Sequence, residues 1–269
     1  MIGSSRDALR AVTEALRGRA DDPAFGGVGG ELLEVASLVS GESSLRATLS
    51  DSGTPLPVRL GIVDQLLGPR VSALTLDILK GAVEQRWSTG HDFVDAIDEL
   101  AADALFTVAE REGRIDAVED ELFRFGRAVA ANGELFLALT DPALGADHKT
   151  GIVRSLLDGR AQPETIVLLA HIVTEPRGRT IEDAVSELVE LAAVRRMHVS
   201  AEVVSAIPLD DDQQSRLATA LARIYGRDVD LRTLIDPTVV GGVVVRVGDE
   251  VIDGSTAHRL EQARRRLTG

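Results

Sequence analysis

The sequence predicts a mainly α fold with a small C-terminal α/β part: two tandem homologous helical bundles joined by a shared helix, then a domain that contains a β-hairpin. Three observations predict it. Aromatic residues make up only 3% of the chain, so its core is built chiefly of Leu, Ala and Val, which suits helices. Segments of the first half recur further along, with the matches at helically spaced apolar positions. Near the C-terminus that spacing gives way to alternation, with Val243, Val245 and Val247 set against Val244 and Arg246, the period of a strand.

The first helix carries Leu9, Val12 and Leu16 as a stripe, ended by the run Gly26-Gly27-Val28-Gly29-Gly30. No Lys-Ser/Thr follows that run, so it reads as a flexible connector rather than a phosphate cradle. Helical patterns resume over Leu32–Val39, Val58–Leu67 and Leu74–Val83. Leu32 then falls on Leu122, Leu45 on Leu135, Asp51 on Asp141 and Leu79 on Leu169, and Gly61-Ile62-Val63 falls on Gly151-Ile152-Val153. The repeat reads as one helical bundle present twice.

Nothing breaks a helix between Gly90 and Gly113. Phe93, Ile97, Leu100, Ala101, Ala104, Leu105 and Val108 form one continuous stripe across the junction of the two copies. A single helix of about 33 Å, at 1.5 Å per residue, is expected to serve both bundles. The expected domains are therefore residues 1–100, an extra bundle, residues 101–196, a second bundle, and residues 197–269, a C-terminal α/β domain.

After a helix over Ile181–Arg196, the segment His198–Val204 reads as a strand. Asp210 and Gln213 form a capping-box start for a helix that runs to Tyr225 and stops at Gly226. Asp228–Ile235 is a second strand, ended by Asp236-Pro237. A two-residue turn at Gly248-Asp249 would set Val245 opposite Ile252 and Val247 opposite Glu250, with Arg246 beside Val251. Gly254-Ser255 closes the hairpin, and Ser255 caps a last helix with Leu260, Ala263 and Leu267 on one face.

Composition narrows the function. A net charge of −14 argues against a phosphate backbone as partner, and the scarcity of aromatics removes base-stacking platforms. There is no cysteine, so disulfides and thiolate chemistry are excluded. The most apolar windows, Ile166–Val173 and Val239–Val245, fall short of the roughly 20 residues of a membrane span, so direct insertion is not expected. No Walker lysine motif, GxGxxG or GxSxG occurs. The histidines at 91, 148, 171, 198 and 258 lack metal-ligand spacing, and Asp210-Asp211-Asp212 reads as a capped helix start rather than a cation site. His171 reads as a core or interface residue, and Trp87 as core. Catalytic, cofactor-binding and metal residues are each expected to be none.

The C-terminal run carries more information than its elements. Asp236-Pro237, Gly241-Gly242, Gly248, Asp253-Gly254-Ser255 and the valines between them resemble the signature of the delta subunit of F-type, proton-translocating ATP synthase. The oligomycin-sensitivity-conferring protein is its mitochondrial counterpart. Asp103-Ala104-Leu105-Phe106, Arg114–Val118, Asp141-Pro142 with Lys149, and Val204–Leu209 are similar to earlier parts of that family. The likeness covers residues 101–269, and residues 1–100 are similar to the extra helical mass of long actinobacterial members.

The resemblance implies a non-catalytic peripheral-stalk subunit on the cytoplasmic face of the cell membrane, linking the catalytic head to the membrane sector and resisting torque. It implies as partners the N-terminal helices of the alpha subunits and the C-terminal helix of the b subunit. By the family's pattern, Ala104, Leu105, Val108, Ile166, Leu169 and Val173 would line a partner groove in the second bundle. Without the C-terminal signature, the same pattern would suit a helical-repeat adaptor that binds amphipathic helices.

Overall fold

The computed structural model describes residues 3–225, 228–237, 239, 241–247 and 250–253. These form a mainly helical chain with one small sheet, arranged as two compact units, Met1–Ala192 and Ala193–Gly269.

The first unit is all helical. Its helices are α1 (Ser4–Arg17), α2 (Phe25–Gly41), α3 (Ser43–Ser50), α4 (Leu56–Ile62), α5 (Ala73–Glu84), α6 (Gly90–Arg111), α7 (Ile115–Ala131), α8 (Gly133–Thr140), α9 (Ala146–Leu157), α10 (Pro163–Thr174) and most of α11 (Ile181–Met197), whose residues from Ala193 on are counted with the second unit. A π-helical stretch, Val63–Leu67, extends α4. Shifting the bounds of α2, α3 and α5 by 90 residues gives those of α7, α8 and α10.

The repeated spans carry repeated chemistry. Ser72 starts α5, and its backbone N–H and hydroxyl donate to Glu31 Oε2 at 2.9 and 2.8 Å. In the second copy, the backbone N–H of Gln162 and the hydroxyl of Thr165 donate to Glu121 Oε2 at 2.9 and 2.6 Å. A glutamate reaching across from α2 or α7 thus satisfies the open first turn of α5 or α10. Burial opposes the charge of Glu31, but hydrogen bonds from Thr75 and Ser72 hold its carboxyl below the usual value.

The glycine-rich run corrects the expectation of a connector. Residues Phe25–Gly41 form one helix, with Phe25, Val28, Gly29, Leu32, Leu33 and Ala36 buried. The reason is tertiary. A Cβ at Gly29 would lie 2.6 Å from Leu105 Cγ and 3.0 Å from the Ala101 carbonyl oxygen, so a residue without a side chain lets α2 lie against α6. Helix propensity, which disfavours glycine, loses to packing. The stripe of α1 is also shifted from expectation: Ser5, Ala8, Val12 and Leu16 are buried, and Leu9 is half-buried.

Helix α6 is unbroken across the junction of the two copies. The expected stripe is buried from Phe93 to Leu105, with Val108 half-buried, but Ala96, Ala102, Phe106, Thr107 and Ala109 are buried as well. A helix buried on most sides lies at the centre of its unit.

The second unit holds a four-stranded sheet in the order β2-β1-β3-β4, from β1 (His198–Ser205), β2 (Asp228–Ile235), β3 (Val243–Val247) and β4 (Glu250–Asp253). β1 and β2 are parallel, so the chain crosses over between them through α12 (Asp211–Tyr225), as parallel neighbours require. The capping box is formed: the Gln213 N–H donates to Asp210 Oδ1 at 2.7 Å, and the Asp210 N–H donates to Gln213 Oε1 at 3.1 Å. The hairpin has the expected register, with Val245 opposite Ile252, Arg246 opposite Val251 and Val247 opposite Glu250. Ala201, Val203, Leu221, Val229 and Val245 form the core of this unit.

Candidate partner-binding face

The second half of α6 and helix α10 carry the residues expected to face a partner. Ala104 and Leu169 are fully buried, Val173 nearly so, and Leu105 is 7% exposed. Val108 and Ile166 are half-buried. Beside them lies a cavity of about 350 Å³, walled by Ala102 of α6, Leu168 and Ile172 of α10, Leu188 and Leu191 of α11, and Leu33 of α2.

Charged groups close one side of that cavity. His171 Nε2 lies 3.0 Å from Asp98 Oδ1, and Arg177 donates to the other oxygen of Asp98. Arg177 has φ +47°, a left-handed conformation rare outside glycine and asparagine. Its Nε and Nη2 are buried without a hydrogen-bond partner. Asp95 and Glu99 line the same cavity. Burial pushes both carboxyls above their usual values, and Asp103 adds like charge beside Glu99. Sequence reasoning placed His171 in the core or at an interface, and its partner Asp98 lies on α6. The Asp98 and Arg177 roles had no local signal, because they depend on how α6 meets the loop after α10.

The far end of α10 is tied differently. Arg114, just past α6, donates to the buried carboxylate of Glu164 at 2.6 Å and also pairs with Glu112. The hydrogen bond from Arg114 to Glu164 holds the guanidinium above its usual value, against a smaller effect of burial.

In the second unit, Gly241 and Gly242 have φ of +65° and +81°, which explains the glycine pair at the entry to β3. The Asp236 N–H donates to the Ser205 carbonyl oxygen at 2.9 Å, so Asp236-Pro237 closes the end of β2 onto β1. Asp253 ends β4, opposite Val244. Gly248, Gly254, Ser255 and the helix expected after them lie outside the described residues. Trp87 is buried, its indole N–H donating to the Ala82 carbonyl oxygen at 2.8 Å.

Among the described residues no group of three or more His, Asp or Glu side chains is placed to hold a metal ion. No helix among them is long and apolar enough to cross a membrane. A duplicated helical unit with tied joints, followed by a small α/β unit, defines a helical scaffold.

The family comparison makes this specific. The model of the ATP synthase delta (OSCP) subunit matches residues 97–267. ATP synthase subunit delta of Streptomyces griseus is 45% identical over 271 residues, covering all of both chains. That of Thermobifida fusca is 43% identical over 271 residues, again covering all of both. The chain belongs to the ATP synthase delta (OSCP) subunit family, as a long member in which the extra N-terminal helices are shared with its actinobacterial relatives. It is a structural, non-catalytic subunit.

Proposed function

We propose that this subunit is a peripheral-stalk element. It ties the catalytic head to the membrane sector and resists the torque of the rotor during ATP synthesis. The helical unit takes the amphipathic N-terminal helices of the alpha subunits, and the C-terminal unit takes the end of the long b-subunit helix. The groove between α6 and α10, with Ala104, Leu105, Val108, Ile166, Leu169 and Val173 along it, is a helix-holding groove. The complex works at the cytoplasmic face of the cell membrane, where this subunit is peripheral.

The observation that carries the reading is helix α6. It runs unbroken through both helical repeats and is tied to its neighbours by Arg17–Asp103, Asp98–Arg177 and Asp98–His171 contacts. Torque transmission needs such a stiff member, because a flexible joint would absorb the strain it should carry. The test is co-sedimentation of the full chain with a catalytic head depleted of its delta subunit. One copy per head is expected, and a chain left wholly in the supernatant would sink the proposal.

A further inference from the structure

Helices α1 and α6 show how differently two corresponding segments can be surrounded. Residues Asp103-Ala104-Leu105 of α6 repeat Asp7-Ala8-Leu9 of α1. α1 is a surface helix with one buried stripe. Between Ala101 and Ala109 every residue is buried except Asp103 and Val108, which are half-buried.

The extra N-terminal helices make the difference. α1 runs alongside α6 in the same direction: Ser5 donates to Asp92 at 2.7 Å, Arg17 to Asp103 at 2.7 Å, and Arg111 back to the Ala20 carbonyl oxygen. α2 covers a further side. Gly29 lies against Ala101 and Leu105, and Leu33 lines the same cavity as Leu168 and Ile172 of α10.

We propose that α2 is the resident occupant of the α6–α10 groove: the extra bundle supplies from its own chain the helix that this groove holds. The alpha-subunit helices are therefore met by other faces of the helical unit. The inference rests on the groove reading above and names the groove's partner. α2 is suited to the part, because its glycine at 29 permits the close approach and its leucine at 33 projects into the space that remains. Leaving the groove would expose Val28, Leu32 and Leu33 together with Ala101 and Leu105, all buried here.

The chain has no cysteine, so a single Leu105→Cys substitution in the full chain reports on this contact. Its maleimide labelling is expected to be at least about 100-fold slower than in the denatured chain, since a buried site reacts only through local opening. The rate is expected to be the same with and without bound catalytic head, whereas Arg10→Cys at an exposed position of α1 labels readily. Hydrogen exchange of residues 99–109 in the unmodified chain gives a second measure, with protection unchanged by the head. Fast labelling at position 105, or labelling or exchange there that changes when the head binds, would overturn the inference. Failure to bind the head at all would sink the stalk reading instead; exchange in the free chain would then decide occupancy, with rapid exchange over 99–109 overturning it.

Discussion

Gly29 of α2 packs directly on Leu105 of α6, so closely that a Cβ at position 29 would fall 2.6 Å from Leu105 Cγ. One residue on, a Cβ at Gly30 would meet nothing within 4 Å. The two glycines should therefore respond oppositely. Gly29→Ala gains about 1 kcal/mol of helix propensity but overpacks a contact bounded by backbone, at about 1–3 kcal/mol, so net destabilisation is expected. Gly30→Ala should stabilise by up to about 1 kcal/mol. Urea unfolding midpoints of the two variants decide it, and equal shifts would contradict the packing.

The carboxylates that cap α5 and α10 should be worth similar amounts. Glu31→Ala and Glu121→Ala each leave a half-buried backbone N–H and a hydroxyl without their acceptor, at about 0.5–1.5 kcal/mol, the net worth of an ordinary hydrogen bond. Glu31 also has a pH signature. Its folded carboxyl titrates below the ordinary value of 4.5, so its contribution is present above 4.5 and lost as pH falls through the lower folded value. Acid unfolding of Glu31→Gln should therefore begin from a lower stability and show a shallower loss below pH 4.5.

Asp95 and Glu99 should behave in the opposite sense. Burial raises both, so their contribution is present below the ordinary values of 3.8 and 4.5 and lost as pH rises through the raised ones. Asp95→Asn combined with Glu99→Gln is expected to raise the melting temperature at pH 8 and to change it little near pH 4. A drop at pH 8 would show that the charges are needed where they stand.

Asp98 holds both His171 and Arg177. Asp98→Ala leaves a largely buried guanidinium with only the more distant carboxylates of Asp95 and Glu175, each at 4.0 Å, so the cost is expected to fall below the roughly 3–5 kcal/mol of a buried charge left wholly unpaired but to stay above about 1 kcal/mol. Thermal unfolding of the full chain measures it. A shift of only a degree or two would mean that water replaces the carboxylate at no cost.

Much of this architecture is written locally. The alternation at Val243–Val247 marked the strand and the two-residue turn expected after it gave the hairpin register, Asp210 and Gln213 announced the start of α12, and the unbroken stripe after Gly90 gave α6. What escaped reading was non-local. The glycines at 26–30 look like a linker because their use is an interhelical contact some 75 residues away in sequence, between Gly29 and Leu105. The short helices α3 and α8 carry no long apolar period. The surroundings of the partner-facing residues were equally hidden: Leu105 falls on the apolar stripe and in the expected groove, but nothing local says that α2 lies over it, and Arg177 looks like an ordinary loop residue until Asp98 is placed beside it.

The claim that this subunit couples head to membrane sector is tested most directly by proton-driven ATP synthesis. Inverted membrane vesicles would be stripped of this subunit together with the catalytic head, then rebuilt with head plus or minus the full chain. Synthesis is expected only when the chain is added back, while ATP hydrolysis by the isolated head is the same with and without it. Equal synthesis in both preparations would contradict a stalk role, and a change in hydrolysis by the free head would point to a role in catalysis instead.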